Sequence, residues 1–151
     1  MNTDKKLVIC VCSTGDRETL APCINSLRRQ DVPEGYEIKI LVVDNSPQAL
    51  LDGYFSGFAD DSLQVLCIHE PVAGIPFARN TALRACLEVG ADLIAFLDDD
   101  ELAPREWISR LVQCRDLRSA DVVVGGVQRA KTIEEAIEKT QQFRSTADFM
   151  R

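Results

Sequence analysis

Ala95-Phe96-Leu97-Asp98-Asp99-Asp100-Glu101 carries an apolar strand straight into four consecutive carboxylates. Like charges at that spacing repel, so a fold keeps them together where a cation or solvent relieves the repulsion. Mg²⁺ and Mn²⁺ are hard cations that take oxygen ligands. Mg²⁺ is commonly held by one or two carboxylates together with substrate phosphates. In an open parallel α/β sheet, ligands gather outside the carboxyl ends of the strands. The acidic run therefore marks a strand end and a place where a phosphorylated substrate would be met. The competing reading is a solvated acidic turn that caps the following helix, and Glu101 fits that role by itself.

Working outward from this stretch, 92–97 is almost wholly apolar, as a strand covered on both faces should be. Similar runs predict strands over 7–13, 38–43, 63–68 and 122–127. Between them lie helical patterns. Asp16 or Thr19 opens a helix with Leu20, Cys23, Ile24 and Leu27 on one face. Pro22 suits only a first turn, which favours a start later than Asp16. Pro76 begins a helix that reaches Glu88, and Gly90 stops it. Further helices are predicted over 104–114 and from Thr132 onward, the last with Ile133, Ala136, Ile137 and Phe143 on one side. A short helix is expected near 50–55. Strands alternating with helices define an α/β fold, a mostly parallel sheet flanked by helices and joined by right-handed crossovers.

The chain has 151 residues, the size of one domain, and 46% of them are hydrophobic, enough for one core. No apolar stretch approaches the roughly 20 residues of a membrane span. The polar start, residues 1–6, leads into a strand and does not read as a signal peptide. A net charge of −7 argues against a nucleic-acid partner, which needs a basic face. It does not exclude nucleotides, because a bound divalent cation reverses the local field. Six cysteines show no Cys-x-x-Cys pair and no zinc spacing. They read as small buried hydrophobes in a reducing, cytoplasmic setting. The single histidine, His69, ends a strand without a partner motif and reads as structural or solvated.

Polar groups follow the predicted strand ends: 13–17, 44–46, the 73–80 segment, and 98–101. Each has an ordinary explanation. Asp44-Asn45-Ser46-Pro47 is a plain turn, Thr14-Gly15-Asp16 a helix cap, and Arg79 a solvated helix residue. Gathered on one sheet edge they describe a pocket with hydrogen-bond acceptors, a fixed cation and a metal site.

These stretches resemble family 2 glycosyltransferases, a Rossmann-like fold of the nucleotide-diphospho-sugar transferase type with a metal-binding Asp-x-Asp motif. The matching residues are Val8-Ile9-Cys10-Val11-Cys12-Ser13-Thr14-Gly15-Asp16-Arg17 with Leu20 and Gln30, and Val42-Val43-Asp44-Asn45-Ser46. Gly74-Ile75-Pro76-Phe77-Ala78-Arg79-Asn80 and the 95–101 stretch follow, with Pro104 and Trp107 beyond. The resemblance covers about residues 7–126 in order and register.

The resemblance implies an enzyme of polysaccharide biosynthesis that moves a sugar from a nucleoside diphosphate sugar to a hydroxyl of a carbohydrate or lipid-linked acceptor, with inversion and with Mg²⁺ or Mn²⁺. It implies a donor site of Thr14, Arg17, Asp44, Asn45, Ser46, Gly74, Arg79, Asn80, Asp98 and Asp99. Asp44 would read the base, Thr14 and Arg17 would line the base and ribose, and Arg79 would face the base or diphosphate. Asp98 and Asp100 would serve the metal, Asp100 directly. Members of this family carry the acceptor site and general base well beyond residue 151. Glu134, Glu135, Glu138 and Asp148 lie on a helix that reads as structural, so no base is assigned. The 151 residues are thus expected to be a single nucleotide-sugar-binding domain, an amino-terminal portion whose sheet is incomplete on the carboxy-terminal side. Such a portion would bind donor and be a poor transferase. It would be cytoplasmic, or membrane-associated within a longer enzyme, and could dimerise through the last helix. One alternative is a non-catalytic module that binds a nucleotide sugar or a protein. Another is a magnesium-dependent phosphatase or phosphotransferase, disfavoured because Ser13-Thr14 stand where a nucleophilic aspartate would follow the first strand.

Overall fold

Side chains alternate across a strand, and β1 (Lys5–Ser13) uses both of its faces. Leu7, Ile9 and Val11 enter one apolar cluster, while Val8 and Cys10 enter another. β1 is therefore covered on both sides, which explains its unbroken apolar run. In the computed structural model, residues 4–58, 63–127 and 129–142 are described. The remaining elements are α1 (Arg17–Leu27), β2 (Tyr36–Asp44), β3 (Val65–His69), α2 (Ile75–Glu88), β4 (Leu93–Asp98), α3 (Trp107–Arg118) and α4 (Ile133–Gln142).

Among the described residues the strands form one sheet in the order β3-β2-β1-β4, every pairing parallel. Ser13 lies beside Asp44, Asp44 beside His69, and Cys12 beside Asp98. The carboxyl ends are thus level. α1 and α3 cover the face of Leu7, Ile9 and Val11 through Leu20, Ile24, Leu27, Trp107, Ile108 and Val112. α2 covers the other face with Ala78, Ala82 and Cys86 against Val8, Cys10, Leu41 and Val43. The small residues on α2 let its backbone approach the sheet closely. The thiols of Cys10 and Cys86 meet there at 3.5 Å.

α1 starts directly after Asp16, whose carboxylate accepts from the amides of Glu18 (3.0 Å) and Thr19 (3.5 Å) and from the Thr19 hydroxyl (2.8 Å). The later start suggested by Pro22 is incorrect: Pro22 sits in the second turn. The cap and the buried stripe outweigh one missing helical bond, whose acceptor would be the carbonyl of exposed Glu18.

Two other expected elements are absent. Residues 51–57 form successive tight turns rather than a helix, with i to i+3 bonds such as Tyr54 to Leu51 and Phe58 to Phe55. Positive φ at Ala49 (52°) and Gly53 (65°) breaks any helical run. Residues 122–127 form no strand, and Val122, Val124 and Val127 are 78%, 87% and 71% exposed. A β-branched run becomes a strand only with a ladder to join, and the described sheet ends at β4 on that side. Of the cysteines, all free, Cys10, Cys23 and Cys86 are buried as expected, whereas Cys67 on edge strand β3 is exposed. Thr132 caps α4 by accepting from the Glu135 amide at 3.2 Å. Phe143 and Asp148 lie outside the described residues.

Candidate functional site

The chain runs from β1 to β2 and β3 on one side, then crosses to place β4 on the other side of β1. Such a reversal opens a crevice at the carboxyl ends of the two central strands. The loops after β1, β2 and β4, with the start of α2, surround it.

The loop after β2 is tied down from within. Asp44 is 1% exposed. One of its oxygens accepts from the Ser46 amide at 3.0 Å and the other from the Leu51 amide at 2.8 Å. Burial works to raise its pKa, but the Ser46 hydroxyl, the Leu51 and Ser46 amides and nearby His69 outweigh it. Its carboxyl is held below the usual range. Ser46, also 1% exposed, accepts from the Leu50 amide at 2.9 Å, and its carbonyl meets His69 Nε2 at 2.7 Å. Asn45 donates to the carbonyls of Glu70 and Val72 and accepts from the Gly74 amide, each at 2.8 Å.

Gly15 docks the first loop on this one. With φ at 93°, it occupies backbone space that favours glycine, and an added Cβ would lie 2.9 Å from Leu50 Cβ. Arg17 donates to the Leu50 carbonyl and stacks 4.8 Å over the Tyr54 ring. Gly15 lies within the 13–17 group read from the sequence, whereas Leu51 and Tyr54, seven and ten residues beyond Asp44, carry no motif that marks them.

The opposite wall is charged and wetter. Arg79 on α2 reaches Asp98 at 3.5 Å, with both side chains more than half exposed. Its guanidinium also lies 5.9 Å over Phe96. Asp98 and Asp100 are exposed and Asp99 is half-buried. Glu101 accepts from the Asp98 amide at 3.4 Å, closing the turn. Its pKa is raised, chiefly by burial, against the Asp98 hydrogen bond and with the charges of Asp98 and Asp100 adding. Beneath the run, burial and then the charges of Asp99, Glu101, Asp100 and Asp98 push the Cys23 thiol up to about 12. The acidic turn thus gathers negative charge, and Arg79 is its ion-pair partner at Asp98. Gln30, 6% exposed, secures the chain that leaves it, donating to the Pro104 carbonyl at 2.7 Å and accepting from the Ile108 amide at 3.0 Å.

Thr14, Arg79, Asn80, Asp98 and Asp100 present exposed side chains at the sheet edge. Asp44, Asn45 and Ser46 are buried beneath the same edge, and Gly74 is the N-cap residue of α2 with φ 134°. Among the described residues no three His, Cys, Asp or Glu side chains converge as a metal cage. Exposed carboxylate oxygens at Asp98 and Asp100 fit a hard divalent cation shared with phosphates rather than one enclosed by protein.

Residues 7–151 match the model of glycosyl transferase family 2. The chain belongs to that family. It is 36% identical over 125 residues to the succinoglycan biosynthesis protein ExoM of Rhizobium meliloti, covering 80% of this chain and 38% of ExoM. It is 30% identical over 115 residues to glycosyltransferase AglE of Haloferax volcanii, covering 75% of this chain and 36% of AglE. The chain therefore spans under two-fifths of the length of these curated relatives. Its fold is similar to that of the mannosyltransferase PcManGT from Pyrobaculum calidifontis, solved with GDP-Man and Mn²⁺. That match has a TM-score of 0.62 and 21% identity, over 89% of this chain and 38% of the other. S. aureus TarS 1-349 with UDP-GlcNAc matches at TM-score 0.60 and 20% identity, over 82% and 37%. At these identities the structural likeness carries the Rossmann-like glycosyltransferase fold alone.

Proposed function

We propose that this chain supplies the donor site of a metal-assisted glycosyl transfer, holding a nucleoside diphosphate sugar at the carboxyl ends of β1, β2 and β4. The observation that carries the reading is the pairing of Arg79 with Asp98 at 3.5 Å beside an acidic turn, at the point where the strand order reverses. A diphosphate is an anion, and a fixed cation with a metal bridge would let it lie against carboxylates. The complexes of PcManGT with GDP-Man and Mn²⁺ and of TarS with UDP-GlcNAc support this donor class.

In this reading Thr14, Arg79, Asn80, Asp98 and Asp99 contact the donor. Arg17, Asp44, Asn45, Ser46 and Gly74 shape the base-side wall. Asp44 accepts from two amides and the Ser46 hydroxyl, leaving one lone-pair direction for a ring N–H. Asp98 and Asp100 would hold Mg²⁺ or Mn²⁺, which when bound stabilises negative charge developing on the leaving diphosphate. Arg79 adds a positive charge on the same side. The acceptor would be a hydroxyl of a carbohydrate or lipid-linked substrate, attacking with inversion. ExoM, by its name a succinoglycan biosynthesis protein, supports a polysaccharide product.

Calorimetric titration of nucleoside diphosphates, with Mn²⁺ and with EDTA, tests the proposal. Asp100→Ala or chelation is expected to lower affinity at least tenfold, about 1.4 kcal/mol. Equal affinity in EDTA would remove the metal from the reading.

A second reading is a module that binds donor without transferring sugar. The observation favouring it is that α4 offers no free base at Glu135, whose carboxylate is held by Lys139 at 2.8 Å and by the Lys131 amide at 2.7 Å. General base catalysis needs a proton-accepting group within hydrogen-bond reach of the acceptor hydroxyl. Donor hydrolysis and transfer to a panel of sugar acceptors, measured on the 151-residue chain, separate the two readings.

A further inference from the structure

Asn45 stands where three strand-end loops meet and is 8% exposed. Its backbone amide donates to the Ser13 carbonyl at 2.7 Å, joining the ends of β1 and β2. Its side-chain nitrogen donates to the Glu70 and Val72 carbonyls, both at 2.8 Å. Its side-chain oxygen accepts from the Gly74 amide at 2.8 Å. Both donors and one oxygen lone pair of the amide are thus engaged by the segment leading into α2. Gly74 is the N-cap of that helix and has no side chain to hold it, while its carbonyl takes the first helical bonds, from Phe77 and Ala78 at 3.1 Å. Five residues beyond Gly74, on the same helix, Arg79 meets Asp98 across the crevice.

We infer that Asn45 is a positioning residue that acts through α2: it fixes the start of the helix so that Arg79 faces Asp98 and the diphosphate. This rests on the donor-site reading above. The resemblance places Asn45 in the donor site; with both N–H donors and one oxygen lone pair engaged before α2, its amide is placed to set the cation on the opposite wall. Only an amide fits the task, since the residue must donate twice to carbonyls and accept once from an N–H. Aspartate at 45 would face two carbonyl oxygens with a third acceptor.

Two measurements on the full chain test this. Amide hydrogen exchange on Asn45→Ala, without ligand, is expected to quicken at least tenfold at Gly74, Phe77 and Ala78 while Ile9 and Ile40 in the sheet keep their protection. Uniform loss of protection, or none at Gly74, overturns the inference. The second is a double-mutant cycle with Mn²⁺ and a nucleoside diphosphate. Asn45→Ala should weaken binding at least fivefold in the native background and less than twofold when Arg79→Ala is already present. Equal losses in both backgrounds mean that Asn45 does not act through Arg79, and the inference falls. If Asn45→Ala does not fold, Asn45→Asp, which keeps the acceptor for Gly74 and loses both donors, is carried through the same cycle with the same non-additivity expected. Failure of the native chain to bind any nucleoside diphosphate would defeat the donor-site reading, whereas the exchange pattern would still decide whether Asn45 sets the start of α2.

Discussion

Asp44 shows how a single carboxylate can serve a loop. It is nearly fully buried yet ionised, because amides from Ser46 and Leu51 converge on it. Its pKa in the folded chain is held below the ordinary carboxylate value. A group with a depressed folded pKa adds stability that is fully present above its unfolded pKa and lost as pH falls through the folded value. Asp44→Asn is therefore expected to cost about 1–3 kcal/mol at neutral pH, since one amide then faces an NH₂ group. The cost should shrink as pH drops below about 4, where the unfolded aspartate is protonated. Urea unfolding of both proteins at pH 7 and pH 3 checks this. A penalty independent of pH would show that packing, not charge, holds the loop.

At the scale of elements, α1 carries a proline in its second turn and forms nonetheless. Pro in a helix interior costs about 3 kcal/mol relative to Ala, part of which it returns by stiffening the unfolded chain. Pro22→Ala is expected to stabilise by about 1–2 kcal/mol, read as a higher urea midpoint with an unchanged slope. No gain would mean that the Pro22 ring makes packing contacts that offset the missing bond. Pro22 alone suggests a later helix start, but the Asp16 cap and the buried stripe of Leu20, Cys23, Ile24 and Leu27 decide it. Elements with an unbroken apolar run, or with start and stop residues around a helix, such as β1, β2, β4 and α2, are legible in the sequence. Residues 122–127 were not, because Val-rich composition records a preference for pairing but not whether a neighbouring edge is there to be paired. Among site residues, the position of the Asp98–Asp100 turn at a strand end was readable from its flanks. The closure of Asp44 and Asn45 by amides of residues 51 and 74 was not, since those contacts depend on how loops cross and leave no spacing pattern.

The molecule as a whole buries its sheet centre well, and among the described residues it exposes apolar side chains from the end of α3 onward. Leu117 is 71% exposed, Val122, Val124 and Val127 are largely exposed, and Ile133 and Ile137 of α4 are 47% and 44% exposed. Where exposed apolar side chains adjoin, they favour association. Sedimentation velocity is expected to show concentration-dependent dimerisation of the 151-residue chain, reduced by Val122→Lys with Val124→Lys. A chain that stays monomeric at high concentration would show that this surface is simply tolerated in water. No helix among the described residues is long and apolar enough to cross a membrane.

The contact between Cys10 and Cys86 also gives the fold a built-in clock. Cys10, Cys23 and Cys86 are each 0% exposed, and burial raises the pKa of all three. A thiolate is the species that attacks an alkylating reagent, so these sulfurs react only when their region opens. Labelling rates read by mass spectrometry would then time separate events. Cys23 would report release of α1 from one face of the sheet, and Cys86 release of α2 from the other. Cys10, on the strand beneath α2, should label in step with Cys86 if the helix lifts as a unit, and later than Cys86 if the helix unwinds from its carboxyl end before the sheet is uncovered.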